Sequence, residues 1–378
     1  MQNKKIKLVL KDGSKFEGNS FGAPKSISGE VVFATGMVGY PEAFTDPSFR
    51  GQILVMTFPL IGNYGVPKKE SWESDQIQIS GLVVSNYIDT LSHHAMKETL
   101  GEWLKSSGVP AIEIKDTRML TEKLRDEGVT LGKILAGKNS VKLEDPNDRN
   151  LVKEVSTKKI ISYGEGKKTI VIIDCGEKRN MVRRLLARGL KVVVVPWDTD
   201  VTKLDFSFDA VLISNGPGDP KKVSETIKNV KKIIKKGIPT FGICLGNQIL
   251  TLALGGNTYK LKFGHRSQNQ PVVESTTKKC YLTTQNHGFA VNKIPKGFTE
   301  WFYNANDKTN EGIIHKTLPF MSVQFHPESS PGPLDTDWVF DFFLDRIGLH
   351  AFRRSHSILE GQAHIGRSED SSKHTSQF

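Results

Sequence analysis

The sequence predicts an α/β protein with two parts: an N-terminal domain that mixes helices with many strands, and a C-terminal open, mostly parallel sheet flanked by helices. Two observations carry this prediction. From residue 169 onward, short apolar runs alternate with amphipathic segments, which is the pattern of βαβ units. At 378 residues, the chain is also long enough to form two separate hydrophobic cores.

The N-terminal part opens with a predicted hairpin, because apolar residues alternate at 6–10 and 14–18 around a Lys-Asp-Gly turn. The other elements predicted there are strands at 29–34, 52–58, 77–86, 109–114 and 129–135 and helices at 94–106 and 117–126. Residues 35–50 are rich in turn formers and form a long predicted loop. Loops of that length are often functional, although a simple crossover is the alternative.

The C-terminal part follows a polar segment, 137–167, that is interpreted as a linker with one short helix. The predicted βαβ units comprise strands at 170–174, 192–195, 210–214 and 238–243 and helices at 178–188, 221–236 and 245–254. Short strands follow at 258–263, 271–274, 279–284, 300–304, 312–315 and 320–325, and then a helix at 334–347.

This pattern predicts four segments along the chain. They are an N-terminal domain at 1–150, a linker at 151–167, a second domain at 168–350 and a tail at 351–378. The tail is rich in Ser, His, Gln and charge and has few residues to bury, so we expect it to be disordered.

Composition favours a cytoplasmic protein. Only three cysteines occur, no secretory h-region opens the chain, and no apolar run approaches membrane-spanning length, so no membrane association is predicted. The net charge of +11 comes from lysines spread over amphipathic helices without interleaved aromatics. Solvated helix faces explain that charge better than an acidic protein partner, and no nucleic-acid binding is predicted.

Cys244 is the candidate nucleophile. An apolar strand ends at residue 243 and a helical pattern begins at 245, so the cysteine lies on a sharp turn at a helix N-terminus. Gly242 and Gly246 flank it where a side chain would block such a turn. The pattern is the cysteine form of a nucleophile elbow, where the helix N-terminus favours a negative charge. A buried structural cysteine is the alternative, and the two glycines favour the nucleophile.

His326 is the candidate base, because Glu328 follows two residues later just beyond a predicted strand. Residues two apart in extended chain point to the same side, so the carboxylate can orient the imidazole. His287 is the rival base, but it has no carboxylate near it in sequence. Cys175 and Cys280 lie in strand-like segments, and we expect both to be core residues.

Acyl transfer to a thiol also needs hydrogen-bond donors for the developing oxyanion. The N–H of Leu245 is one candidate, and the loop that contains Gly216 and Gly218 is the expected source of a second. A tight turn without function is the alternative for that loop. The three cysteines are not paired at ligand spacing, so no metal site is predicted. No phosphate-binding or dinucleotide loop follows a strand, so no cofactor is predicted either.

Three motifs resemble the signature of class I (triad) glutamine amidotransferases: Phe-Gly-Ile-Cys-Leu-Gly-Asn-Gln at 241–248, Ser-Asn-Gly-Pro-Gly-Asp-Pro at 214–220, and Phe-His-Pro-Glu at 325–328. Other motifs resemble the small subunit of carbamoyl phosphate synthetase. They are Gly-Glu-Val-Val-Phe at 29–33, Gly-Tyr-Pro-Glu at 39–42, Thr-Asp-Pro-Ser at 45–48, Pro-Leu-Ile-Gly-Asn-Tyr-Gly at 59–65, Lys-Phe-Gly-His at 262–265, Gln-Asn-His-Gly-Phe-Ala-Val at 285–291 and His-Pro-Glu-Ser-Ser-Pro-Gly-Pro at 326–333.

The resemblance implies that Cys244 attacks the side-chain amide of L-glutamine, with His326 as acid and base and Glu328 as its orienting residue. It also implies the glutamine-binding residues: Ser48, Gly216, Gly218, Leu245, Gln248, Asn286, Gly288 and Phe289. The loop at 35–50 would then bring Ser48 across a domain interface to the substrate.

The resemblance further implies a partner, a large synthetase subunit in a heterodimer or higher assembly. That subunit would bind ATP, Mg²⁺ and bicarbonate and use the released ammonia to make carbamoyl phosphate for arginine synthesis, pyrimidine synthesis or both. The alternatives are an amidotransferase subunit that serves another synthase, such as anthranilate or GMP synthesis, and a catalytically silent binding subunit.

The sequence departs from the family pattern in three places. Asn247 stands where many relatives have His, the loop at 266–270 lacks the expected glycine-rich form, and the tail extends beyond the resemblance. Asn247 lies outside the proposed triad, so we expect it to tune activity rather than support it.

Overall fold

The computed structural model describes residues 4–90, 93–94, 96–137 and 140–349. The tail at 351–378, with its predicted disorder, lies outside the described residues. Among the described residues, we find no helix with both the length and the apolar character needed to cross a membrane.

The first half of the chain forms a closed barrel of seven strands in the order β1-β2-β8-β6-β4-β3-β9. These strands are β1 (Lys5–Leu10), β2 (Lys15–Ser20), β3 (Ile27–Ala34), β4 (Gln52–Met56), β6 (Gly81–Val84), β8 (Ala111–Ile114) and β9 (Thr130–Leu135). A separate parallel pair consists of β5 (Leu60–Ile61) and β7 (Asn86–Tyr87). The predicted strand-rich domain is therefore a barrel, and its closure depends on the pairing of β1 with the distant β9.

In the part of the chain that the structure describes, three α-helices accompany the barrel: α1 (Tyr40–Thr45), α2 (Leu100–Ser106) and α3 (Thr117–Glu127). The predicted loop at 35–50 contains α1, followed by a 3₁₀ turn at Pro47–Phe49. Helix α2 begins six residues later than position 94, where the prediction began it, because Thr99 and Glu102 form a capping box at its N-terminus.

The second half forms a ten-stranded sheet in the order β10-β12-β11-β13-β14-β19-β18-β16-β15-β17. Its strands are β10 (Ile161–Tyr163), β11 (Thr169–Asp174), β12 (Lys191–Pro196), β13 (Ala210–Ile213), β14 (Thr240–Ile243), β15 (Asn257–Glu274), β16 (Cys280–Lys293), β17 (Phe298–Asn304), β18 (Asn310–His315) and β19 (Phe320–Val323). Its helices are α4 (Val152–Val155), α5 (Arg179–Ala187), α6 (Ser224–Lys235), α7 (Leu245–Ala253) and α8 (Trp338–Arg346).

The parallel part of this sheet is the central block β12-β11-β13-β14-β19. Helices α5 and α8 pack on one face of this block, and α6 and α7 pack on the other, as predicted. The remaining neighbours pair antiparallel, so the prediction of a mostly parallel sheet is wrong for the sheet as a whole. Strands β15 to β18 follow one another without an intervening helix, and such connections favour antiparallel pairing.

Two further differences concern the segment limits. The predicted strands at 258–263 and 271–274 are one strand, β15, which is interrupted by register shifts. The predicted linker at 151–167 also contributes β10, which pairs with β12. The division into domains at 1–150, 151–167 and 168–350 stays a prediction.

Strand β15 reaches back to the barrel. The backbone N–H of Val129 donates to Lys262 over 2.9 Å, and that of Thr35 donates to Arg266 over 3.2 Å. The ammonium of Lys260 also pairs with Glu30 at 2.6 Å. These contacts hold the loop that follows β3 beside the second half of the chain.

Candidate active site

Cys244 lies between β14 and α7 at the carboxyl edge of the parallel block, as predicted. Its backbone φ is +55°, which is rare for a residue other than glycine. A Cβ on Gly246 would lie 2.1 Å from the carbonyl oxygen of Ile213, and one on Gly242 would lie 2.5 Å from that of Gly246. Both flanking glycines are therefore required by close backbone contacts, which supports the elbow interpretation.

His326 follows β19, the parallel neighbour of β14, so strand pairing brings it to the edge that carries Cys244. Its Nδ1 lies 2.6 Å from Oε1 of Glu328. Cys244, His326 and Glu328 are all almost completely buried. Burial alone lowers the pKa of His326, but the neighbouring Glu328 and Cys244 outweigh it and raise this pKa to about 10. The sulfur is thus close enough to act electrostatically on the imidazole.

Nε2 of His326 is buried and has no hydrogen-bond partner among the described residues. Because Nδ1 donates to the carboxylate of Glu328, Nε2 is the nitrogen that is free to exchange a proton with a reacting group. A buried ring nitrogen without a partner beside a thiol is the arrangement that a general acid and base needs. The structure therefore brings together the three residues that the sequence singled out.

Lys178 is a charged residue of this site that the sequence analysis missed. Its side chain is 2% exposed, and its ammonium lies 3.3 Å from Oε1 of Glu328 and donates to the carbonyl of Ser329. Burial raises the pKa of Glu328, but His326 and Lys178 together lower it below its usual value. The available signal was a lysine four residues beyond the end of β11, at the same edge as Cys244.

A cavity beside Cys244 is lined by every predicted glutamine-binding residue: Ser48, Gly216, Gly218, Leu245, Gln248, Asn286, Gly288 and Phe289. Eight further residues line it that the sequence analysis did not select, five of them polar or charged (Glu30, Gln52, Asn147, Lys260 and Arg266) and three apolar (Val129, Leu261 and Phe263). The amide of Gln248 donates to the carbonyl of Phe289 over 2.8 Å, which ties α7 to the wall formed by β16.

Ser48 enters this cavity from the first half of the chain. Its hydroxyl accepts a 2.8 Å hydrogen bond from the side chain of Asn215. Asp46, which the sequence analysis did not select, accepts from the backbone of Ser48 and from the side chain of Asn286, both over 2.9 Å. The signal for Asp46 was its place before Pro47, where aspartate caps a turn.

The expected oxyanion donors border the same cavity. Leu245 is the first residue of α7, so its N–H has no partner within the helix. A Cβ on Gly216 would lie 2.0 Å from the carbonyl oxygen of Cys175, and Gly218 has a φ of +83°. Their loop therefore requires glycine at both positions. The backbone of this loop and that of Leu245 border the space next to the thiol.

His287, the rival base, uses both ring nitrogens away from the triad. Nδ1 lies 2.9 Å from the carbonyl of Phe289, and Nε2 lies 3.1 Å from the amide oxygen of Gln285. Burial, and next to it the charge of His265, lower the pKa of His287 well below its usual value. This geometry favours His326 as the base.

The family departures and the remaining cysteines also have defined positions. The side chain of Asn247 contacts Gln324 at 3.2 Å and Ser322 at 2.7 Å, so it faces β19. Within the loop at 266–270, Arg266 is buried and lines the cavity. Cys175 is buried as predicted, but Cys280 is exposed, because it is the first residue of β16 after a surface turn.

The fold and the Cys-His-Glu site define the second half as a domain of the glutamine amidotransferase class, and residues 171–346 match the family Glutamine amidotransferase class-I. Residues 8–134 match the family Carbamoyl-phosphate synthase small chain, CPSase domain. The carbamoyl phosphate synthase arginine-specific small chain of Neurospora crassa is 46% identical over 360 residues, which cover 90% of this chain and 80% of that protein. The chain belongs to the carbamoyl phosphate synthase small-chain family.

Longer proteins also contain a region that is similar to this chain. The multifunctional protein CAD of Squalus acanthias is 50% identical over 89% of this chain, and the mitochondrial carbamoyl-phosphate synthase of Homo sapiens, whose name specifies ammonia, is 48% identical over 90%. The chain spans 16% and 23% of these two relatives. Because one relative is named for ammonia, family membership alone does not decide whether the chain uses glutamine as its nitrogen source. The residues of the site must be used to decide this.

Proposed function

We propose that this chain hydrolyses the side-chain amide of L-glutamine through a thioester on Cys244 and delivers the ammonia to a large synthetase subunit. The observation that carries the proposal is the buried Cys244-His326-Glu328 arrangement beside a cavity with backbone donors. Membership of the small-chain family supports the same function.

In the first step, the sulfur of Cys244 attacks the amide carbon of glutamine. The negative charge that develops on the amide oxygen is stabilised by the N–H of Leu245 and by the backbone of the loop at 216–218. His326 holds the proton that the thiol gives up and transfers it from Nε2 to the leaving nitrogen. Ammonia departs, and the glutamyl group remains on the sulfur.

In the second step, a water molecule attacks the thioester, and Nε2 of His326 accepts the proton of that water. The tetrahedral intermediate collapses, glutamate leaves, and the thiol is regenerated. Throughout both steps, Glu328 holds Nδ1 of His326 at 2.6 Å, so Nε2 keeps its orientation and the imidazolium is stabilised. Lys178 keeps Glu328 ionised, because the buried carboxylate would otherwise lack a second cation.

Ammonia that escapes into water becomes protonated and loses its nucleophilicity, so its user must be held against this chain. We infer that the user is a large subunit that binds ATP, Mg²⁺ and bicarbonate and makes carbamoyl phosphate, in a heterodimer or higher assembly. The product would serve arginine synthesis, pyrimidine synthesis or both, and the name of the Neurospora crassa relative supports the first. The free thiol of Cys244 favours the reducing cytoplasm.

The two alternative functions have less support. Residues 8–134 match the small-chain CPSase domain. An amidotransferase subunit for anthranilate or GMP synthesis does not explain the presence of this domain. A catalytically silent binding subunit does not require an intact triad in which His326 is buried and paired with Glu328.

Two measurements test the proposal. The purified chain, with the subunit that co-purifies from native extract, should release glutamate from L-glutamine and, with ATP and bicarbonate, form carbamoyl phosphate. The absence of glutamate release from this complex would exclude the enzyme function. Co-purification with a different synthase would exclude the carbamoyl phosphate assignment but keep the amidotransferase class.

A further inference from the structure

Two histidines and a glutamate meet on three neighbouring strands beside the glutamine cavity. His265 of β15 is paired directly with His287 of β16, and Glu311 lies on β18. All three side chains are buried, with 6%, 5% and 0% exposure. One ring nitrogen from each histidine and one carboxylate oxygen lie within 4.8 Å of one another.

The outer nitrogens of both rings face hydrogen-bond acceptors. Nε2 of His265 lies 2.9 Å from a carboxylate oxygen of Asp307, and Nδ1 of His287 lies 2.9 Å from the carbonyl of Phe289. When each ring carries a single proton on its outer nitrogen, these contacts are satisfied, and Nδ1 of His265 and Nε2 of His287 keep their lone pairs on the inner side, where Glu311 lies 3.4 Å from Nδ1 of His265. Histidines that bind metals are held in this way, by a carboxylate or a carbonyl on the second nitrogen.

Burial lowers the pKa of His265, but Asp307 and Glu311 outweigh it and raise this pKa to about 10. Without a metal ion, Nδ1 of His265 therefore also carries a proton, and a bound cation would replace that proton. Nε2 of His287 faces the amide oxygen of Gln285 at 3.1 Å, although its Nδ1 already carries the proton. One carboxylate oxygen of Glu311 is buried without a hydrogen-bond partner among the described residues, while the other accepts from Asn304 over 3.3 Å. Converging lone pairs and a buried, unpaired carboxylate oxygen create a place where a cation is stabilised.

We propose that His265, His287 and Glu311 bind one Zn²⁺ ion. Two imidazoles and a carboxylate are ligands that bind Zn²⁺ in proteins. Zinc–ligand bonds of about 2.0–2.2 Å place tetrahedral ligand atoms roughly 3.4 Å apart, and Nδ1 of His265 is 3.4 Å from the nearer oxygen of Glu311. The amide oxygen of Gln285 lies 2.8 Å from Nδ1 of His265 and 3.1 Å from Nε2 of His287, so it would become the neutral fourth ligand after a small outward shift.

This ion would be structural. His287 separates Asn286 from Gly288 in the cavity wall, and the carbonyl oxygen of Asn286 lies 3.7 Å from the sulfur of Cys244. Binding three adjacent strands to one ion would fix that wall against the thiol. The inference does not depend on glutamine hydrolysis, because zinc binding is measured on the protein without substrate.

The test uses the full-length chain after removal of metal with a chelator. Titration with Zn²⁺ should give one tight site per chain, and Co²⁺ should give the visible absorption bands of a tetrahedral nitrogen and oxygen site. The Glu311→Gln variant keeps the size of the side chain but loses the charge, so it should weaken Zn²⁺ binding by roughly a hundredfold and abolish the cobalt bands. Glu300→Gln on β17 is the matched control and should bind as the wild type does.

Zn²⁺ should also raise the Tm of the wild type and of Glu300→Gln, but not that of Glu311→Gln. The proposal would be overturned if the wild type bound no Zn²⁺ at micromolar concentration. It would also be overturned if Glu311→Gln bound Zn²⁺ as tightly as the wild type. The second result would assign the binding to histidines elsewhere in the chain. If Glu311→Gln does not fold, His265→Gln provides the same comparison with the same two outcomes.

Discussion

The side chain of Asn286 donates a 2.9 Å hydrogen bond to Oδ2 of Asp46. The other oxygen of Asp46 accepts from the backbone of Ser48 and, at 3.3 Å, from the side chain of Asn215. A single buried carboxylate from the first half of the chain therefore holds the cavity residues Ser48 and Asn286, together with Asn215, the neighbour of the cavity residue Gly216. This contact explains how the loop after β3 reaches the predicted substrate site.

Asp46→Asn should therefore weaken glutamine binding. The change replaces an acceptor of charge-assisted hydrogen bonds by an amide, so Ser48 and Asn286 lose their common partner. We expect a KM for glutamine about tenfold higher with a smaller change in kcat. Asp75→Asn is the matched control, because Asp75 also pairs across the two halves, with Arg179, but is 85% exposed. Equal effects of the two substitutions on KM would contradict this account.

Cys244→Ser should abolish glutamine-dependent synthesis in the complex with the large subunit and leave ammonia-dependent synthesis intact. The serine hydroxyl is less acidic than the thiol and is therefore a much weaker nucleophile. Synthesis from external ammonia does not pass through the thioester, so it does not require Cys244. Carbamoyl phosphate formation is measured with each nitrogen donor. Cys280→Ser is the control, since Cys280 is exposed and does not line the cavity beside Cys244, and it should leave both rates unchanged. Loss of both rates in Cys244→Ser would argue against the division of labour between the subunits.

Glu328→Gln should lower the kcat/KM of glutaminase by about 10²- to 10⁴-fold, because the imidazole loses its orienting carboxylate. Glu328 contributes to raising the pKa of His326 to about 10, so removing its charge should shift that pKa downward. The pH dependence of glutaminase kcat/KM and of the alkylation of Cys244 reports this shift. Glu70→Gln, a change at an exposed turn, should alter neither curve. A variant with wild-type pH profiles would exclude Glu328 as the orienting residue.

The raised pKa of His326 also predicts how stability depends on pH. A histidine in an unfolded chain has a pKa of about 6.5, and in the folded chain burial is outweighed by Glu328 and Cys244, which raise the pKa of His326 to about 10. Its protonation therefore stabilises the fold fully below about pH 6.5, and this contribution is lost as the pH rises through about 10. The free energy of unfolding of the wild type relative to His326→Asn, from urea denaturation, should decrease over that range. A constant difference would show that His326 is not stabilised as an imidazolium.

Gly246→Ala should disturb the elbow without touching the triad. The added methyl would lie 2.1 Å from a backbone oxygen of β13, so α7 has to shift and Cys244 moves with its N-terminus. We expect a loss of stability of about 1–3 kcal/mol and a fall in glutaminase kcat of at least tenfold. Thermal denaturation and steady-state kinetics measure the two effects. Ala253→Gly, at the other end of α7, should lower stability by roughly 0.5–1 kcal/mol with kcat unchanged.

The sequence by itself determined the catalytic candidates and the parallel block. The change of period at Cys244, the glycines beside it and the two-residue spacing of His326 and Glu328 are local patterns, and their physical causes act within a few residues. The sequence also identified the eight cavity residues through motifs that it shares with its family.

The tertiary structure alone decided which distant residues meet. Barrel closure, the antiparallel half of the sheet, the burial of Lys178 beside Glu328 and the convergence of His265, His287 and Glu311 all depend on strand order, which local periodicity does not encode. The same holds for Asp46, whose sequence environment indicates a turn cap, whereas its hydrogen bond to Asn286 exists only because β16 passes the turn after α1. Contacts between segments far apart in sequence arise from packing, and so their chemistry becomes visible only in the folded chain.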